Sequence, residues 1–97
     1  MRFSFAVLPG HRAEETLWSI ERADELGLHA CYTTDGTGSN GLSPLLAAAA
    51  RRTRRIRLGS TVTARALREP ELVAQAAAAL DELSGGRAEL VLSCGDA

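Results

Sequence analysis

Short apolar runs alternate along the chain with longer segments whose apolar residues recur every three or four positions. Phe3 to Leu8 (FSFAVL) is apolar and closed by Pro9-Gly10, the pattern of a buried strand. In the next segment Ala13, Leu17, Ile20, Ala23 and Leu26 make one helical stripe. Glu14 and Glu15 stand near its start, where the helix dipole favours acids. Gly27 is placed as its stop. His29 to Thr34 (HACYTT) predicts a second strand. Ser43-Pro44 predicts the next helix, because serine can cap it and proline suits the first helical position. Ile56 to Thr63 (IRLGSTVT) predicts a third strand, in which Gly59 suggests a bend or bulge. A third helix starts near Pro70, buries Val73, Ala76, Ala77, Leu80 and Leu83, and ends at Ser84-Gly85-Gly86. Ala88 to Cys94 (AELVLSC) predicts the last strand. The order is βαβαβαβ, and helical crossovers imply an α/β fold with a parallel sheet and helices packed on it.

Composition narrows the class. The chain has 97 residues, 45% of them hydrophobic and 24% charged, which is the make-up of one small globular domain. A net charge of −1 gives no global attraction to nucleic acid or to an anionic membrane. The longest apolar run falls far short of the ~20 residues that span a bilayer. The N-terminal apolar run meets Pro9-Gly10 too soon for a signal peptide, so a cytoplasmic location is expected. Arg51, Arg52, Arg54, Arg55 and Arg57 cluster without interleaved aromatics at the end of a helix. They are read as dipole partners rather than as a nucleic-acid patch. All eleven basic residues are arginine, and with the alanine richness this reads as compositional bias.

The chemistry-bearing residues are few. Cys31 and Cys94 match no metal or redox spacing and are expected as small buried hydrophobes. No His/Cys/Asp/Glu cluster has metal spacing, and His11 and His29 support no Ser-His-Asp arrangement. His11 follows the first strand, as a substrate or phosphate contact or as a plain loop histidine. Trp18 lies beside the first helical stripe, where helix packing is the default and an interface the alternative. Gly36, Gly38 and Gly41 spell a literal G-x-G-x-x-G. A dinucleotide-binding turn needs its last glycine in the first helical turn and an acid about 20 residues on. Here the helix has its own start at Ser43-Pro44, and the next strand ends Thr61-Val62-Thr63-Ala64-Arg65 without a carboxylate. The loop is therefore read as ligand-facing but of another kind, with Asp35 at the predicted end of the second strand.

Four segments, RADELGLHACYTTD, RIRLGSTVT, REPELVAQAAAALDELSGGR and AELVLSCGD, occur in an order and spacing that resembles the N-terminal part of the bacterial luciferase-like monooxygenase superfamily. The resemblance extends over almost the whole chain and points to the deazaflavin-dependent branch, which includes methylenetetrahydromethanopterin reductase-like proteins. It implies the N-terminal half of a (β/α)8 TIM-type barrel that binds coenzyme F420 (a deazaflavin) or FMN at the C-terminal strand ends. It implies hydride transfer or monooxygenation on a small-molecule substrate. By position, Asp35 matches an acid near the ring, and Ser60, Thr61 and Val62 match the segment that backs the ring face. In the family that segment can carry a cis peptide, here between Thr61 and Val62; the residues alone read equally as an ordinary strand. Cys94, in Ser93-Cys94-Gly95-Asp96, matches a further approach to the cofactor. Gly36 stands where relatives commonly carry histidine, so the imidazole is missing. Gly36 and Gly38, with His11, are the expected substrate contacts.

A full barrel of this type needs about 250 residues. Residues 1–97 are therefore expected to form one partial barrel domain of four strands and three helices. Its inner face and its outer strands would be open. Three readings stay open: a piece of a longer enzyme, a short protein that pairs through the open face as a homodimer, and a degenerate remnant.

Overall fold

The computed structural model describes residues 1–7, 12–34, 43–63 and 70–93. Four strands alternate with three helices: β1 (Ser4–Val7), α1 (Ala13–Glu25), β2 (Ala30–Thr34), α2 (Ser43–Arg52), β3 (Arg57–Thr63), α3 (Pro70–Leu83) and β4 (Ala88–Ser93). The strands form one parallel sheet in the order β1-β2-β3-β4, so sequence neighbours are spatial neighbours. The predicted order of elements is the observed one.

The sheet has two unlike faces. Phe5, Cys31, Leu58 and Ala88 stand at one register level. They pack with Leu17, Ile20 and Ala23 of α1, Leu45, Leu46, Ala49 and Ala50 of α2, and Leu80 of α3. All three helices therefore lie on this face, and Ile20, Leu46, Ile56 and Leu58 are its largest fully buried side chains. Side chains alternate along a strand, so Ser4, Ala6, Tyr32, Arg57, Gly59, Thr61, Glu89 and Val91 belong to the other face. No helix covers that face among the described residues, and it is polar or small-chained where the helix side is apolar.

Several expectations shift. Ala13 and Leu26 of the predicted α1 stripe are exposed, while Thr16 and Asp24 turn inward. Leu26 follows the last helical turn, and Gly27 then takes the left-handed conformation (φ 83°) as Leu28 N–H closes back on the Ala23 carbonyl. Leu83 is exposed, and Val73, Ala76 and Ala77 are only half-buried. The cause is position: α3 packs against α2 and β4 and has no described helix on its far side. Trp18 is 64% exposed instead of packed between helices. Gly59 makes neither bend nor bulge, because its register runs unbroken on both sides, from Arg57 to Thr61 with β2 and from Leu58 to Thr63 with β4. Its lack of a side chain answers a close approach: a Cβ there would lie 2.6 Å from the Glu89 carbonyl oxygen. No peptide bond among the described residues is cis, so the Thr61–Val62 bond is an ordinary trans link within a regular ladder.

Candidate functional site

Parallel βα units put their αβ turns at one end of the sheet and their βα loops at the other. In barrels of such units the first end carries stability and the second carries function. The stability end is well defined here. Asp24, at the end of α1, accepts the backbone N–H groups of Arg54 (3.1 Å), Arg55 (2.8 Å) and Ile56 (2.8 Å). Burial alone would raise the Asp24 pKa; those three hydrogen bonds and the charge of Arg87 outweigh it and hold the carboxyl below its usual range. Arg87, at the start of β4, grips the same α2–β3 turn from the other side. Its guanidinium donates to the carbonyls of Ala50 (3.0 Å), Thr53 (3.1 Å) and Ile56 (2.9 Å), to Thr53 Oγ1 (2.8 Å), and to the Ser84 carbonyl (2.6 Å). The Ala50 and Thr53 carbonyls lie at the end of α2, where a helix leaves acceptors unpaired. One fork of five donors thus satisfies the exit of a helix and the start of a strand.

The uncovered face carries its own network. Tyr32, Gly59 and Glu89 share a register level on β2, β3 and β4. Tyr32 O–H donates to Glu89 Oε1 at 3.1 Å, and Arg57 Nε donates to Glu89 Oε2. Burial, the hydrogen bond to Glu89 and its negative charge raise the Tyr32 pKa, and Arg57 opposes them. The phenol therefore stays protonated, and a donor, at neutral pH.

At the functional end the expected residues separate. Ser60 is fully buried on the helix side, where its hydroxyl donates to the Thr33 carbonyl at 3.2 Å. Thr61 is half-buried on the uncovered face, with Oγ1 at 3.4 Å from the same carbonyl. Val62 pairs with Leu92 in the ladder. Asp35, Gly36, Gly38, His11 and Cys94 lie outside the described residues. Cys31 is a buried free thiol on the helix side, pushed up to about 12 by burial, and is inert as a nucleophile at neutral pH.

The cofactors implied by the resemblance are tested against these residues in two parts. On the uncovered face Thr61 stands one level above Tyr32, Gly59 and Glu89, a small side chain with a hydroxyl over the Tyr32 level. That suits one face of a planar ring. A phosphate tail needs cations at the C-terminal strand ends. The described arginines other than Arg12, which stands ahead of α1, sit toward the opposite end, Arg2, Arg22, Arg57 and Arg87 and the α2–β3 cluster included. The described residues fit the ring and offer the tail one described cation, Arg12. They include no group of His, Cys, Asp and Glu that could hold a metal ion, and no helix long and apolar enough to cross a membrane.

Four parallel strands in sequential order, with every described helix on one face, are the pattern of the first half of a (β/α)8 barrel. The model of the luciferase-like monooxygenase family matches residues 1–97, and the chain belongs to that family. It is 31% identical over 96 residues to a 5,10-methylenetetrahydromethanopterin reductase of Archaeoglobus fulgidus, covering 99% of this chain and 29% of the reductase. Among solved structures it superposes on the coenzyme F420-dependent tetrahydromethanopterin reductase of Methanopyrus kandleri with a TM-score of 0.89 at 29% identity, over 98% of this chain and 27% of that one. It superposes on the monooxygenase RslO1 of Streptomyces bottropensis with a TM-score of 0.79 at 36% identity, over 95% and 32% of the two chains. The chain thus spans less than a third of the length of these relatives.

Sequence reasoning missed Asp24, Arg87 and the Tyr32–Glu89–Arg57 network. A signal for the network was present: Arg57 and Glu89 are charged residues at alternate positions of otherwise apolar strands, on the side opposite Leu58 and Ala88. The motifs RADELG and SGGR carry Asp24 and Arg87, but nothing in a single sequence separates a fastening carboxylate from a solvated one.

Proposed function

We propose that this chain forms the N-terminal half-barrel, residues 1–97, of a cytoplasmic luciferase-like oxidoreductase that uses coenzyme F420 or FMN. It would transfer hydride to, or oxygenate, a small-molecule substrate. One observation carries the reading: the chain follows an F420-dependent reductase over 98% of its length, with Thr61 on a sheet face that no described helix covers. In this reading Thr61 and the Ser60–Val62 backbone back one face of the ring. Asp35 and Cys94 approach it from neighbouring strand ends, while His11, Gly36 and Gly38 border the substrate. The group, when bound, supplies the hydride or the reduced ring that reacts with oxygen. The chain's own residues orient that ring and keep water from its underside.

Titration with FMN and with coenzyme F420, read by ring fluorescence, tests the reading. Binding of one of them at high micromolar to millimolar concentration is expected, because the ring has a sheet face to rest on and the phosphates have one described cation, Arg12. Failure of both to bind refutes it. Micromolar or tighter binding by a monomer refutes the statement about the tail.

A second reading has support of its own. The strands β1 and β4 are open edges, and Phe3, Leu90 and Val91 are exposed near them. A non-catalytic half-barrel, a degenerate remnant included, that self-associates by burying its inner face would show a dimer in light scattering and no response to either cofactor.

A further inference from the structure

Tyr32 is the chain's one tyrosine, and it reaches further than its own strand. Glu89 stands two strands away at the same level, at a Cα separation of about 10 Å. The hydroxyl nevertheless meets Glu89 Oε1 at 3.1 Å. The phenol ring therefore lies across the middle strand, over the position where Gly59 presents no side chain. Arg57, on the same face of β3, holds the other oxygen of the carboxylate. An aromatic plate is thus tethered at its hydroxyl end to a carboxylate that Arg57 itself holds. The next level toward the C-terminal strand ends is Thr34, Thr61 and Val91, about 7 Å higher.

We propose that Tyr32 is a positioning residue for the cofactor ring: laid across Gly59 and tethered to Glu89, whose other oxygen Arg57 holds, it forms a floor below the level of Thr61 and closes the underside of the ring site to water. The inference rests on the flavin or deazaflavin reading. Three features give it content. A ring held by a hydrogen bond to an ion-paired carboxylate is rigid, and rigidity is what a supporting layer must supply. Its small neighbours Ala6 and Gly59 put no large side chain over the half-buried plate among the described residues, so a ligand can rest above it. The charges that face the phenol from the adjoining strands are Glu89 and Arg57, which pair with each other.

The test uses the full chain with FMN and coenzyme F420 as probes, and the variants Glu89→Gln, Tyr32→Phe and Tyr32→Ala. Each variant is first shown to be folded by its thermal melt. A lone tyrosine makes phenol absorbance a titration of one group. Saturating ligand is expected to raise the Tyr32 midpoint, because a ring above it removes water. Glu89→Gln is expected to lower that midpoint in the free chain and to weaken binding about tenfold. Tyr32→Phe keeps the plate but loses its tether, so it is expected to weaken binding about as much as Glu89→Gln, and Tyr32→Ala, which loses both, to weaken it further and to displace the absorption and circular dichroism of the bound ring. A midpoint unmoved by ligand, or Tyr32→Ala binding within about twofold of the parent with an unaltered ring spectrum, overturns the proposal. Binding with an indifferent Tyr32 overturns this inference alone; absence of binding by the parent overturns the functional reading and the inference with it.

Discussion

Replacing Asp24 by alanine removes the acceptor of three backbone N–H groups at once. The Ile56 N–H is fully buried and cannot turn to water, and an orphaned buried donor costs about 1–3 kcal/mol. Arg54 and Arg55 are exposed residues whose N–H groups water can partly reclaim, so they add less. The total is about 2–4 kcal/mol, at the upper end because Arg87 also loses a neighbouring negative charge. In a domain of this size 1 kcal/mol moves the melting midpoint by about 4–8 °C, so a fall of at least ~8 °C is expected at neutral pH. Asp24→Asn keeps one carbonyl oxygen for Arg55 and Ile56 and turns an amide toward Arg54, so it should fall between. The pH dependence fixes the cause. The folded-state pKa of Asp24 lies below the unfolded value of about 3.9. The charge-linked stability is therefore fully present above that value and is lost as pH falls through the lower, folded value. Melts followed by far-ultraviolet circular dichroism from neutral pH down to about pH 3 are the assay. Parent and Asp24→Asn midpoints should converge at the acid end. A change below about 3 °C for Asp24→Ala, or a parent-to-asparagine gap independent of pH, would refute the reasoning.

Three further outcomes follow from the packing. Gly59→Ala places a Cβ against the Glu89 carbonyl, so β3 and β4 must separate locally. A loss of about 1–3 kcal/mol is expected in urea unfolding, with faster amide exchange along that ladder. Arg87→Lys keeps the charge but cannot span five acceptors on two elements; it should lower the melting midpoint by ~5 °C or more, whereas a neutral result would mean that the fork contributes little. Cys31 is buried with its thiol pushed up to about 12, so in a Cys94→Ser background a thiol reagent at mildly alkaline pH should react only after denaturant is added.

The elements were legible because their signals are local. Pro9-Gly10, Gly27, Ser43-Pro44 and Ser84-Gly85-Gly86 punctuate the chain, and the helical stripes and apolar strand runs between them each have one reading. What was not legible depended on neighbours far along the chain. Leu83 belongs to a sound helical stripe, yet it is exposed because α3 is the last described helix of its layer. Gly59 signalled an irregularity when read within its own strand; its role appears only beside Glu89, thirty positions later. The candidate site entered as a set of positions through family likeness, and His11, Asp35, Gly36, Gly38 and Cys94 among them lie outside the described residues. That likeness could not tell that Ser60 faces the helices while Thr61 faces the inner side, since both suit a strand equally. Tyr32 passed as one more aromatic in a strand, because its partners lie on β3 and β4.

The double grip on the α2–β3 turn bears on how such a sheet can move. Asp24 comes from the α1–β2 junction and Arg87 from the α3–β4 junction, so three successive junctions are stapled in series around one rim. The arrangement works like the hoop at the base of a cask. It fixes the spacing of the staves at one end by side chains rather than by the strand ladder alone.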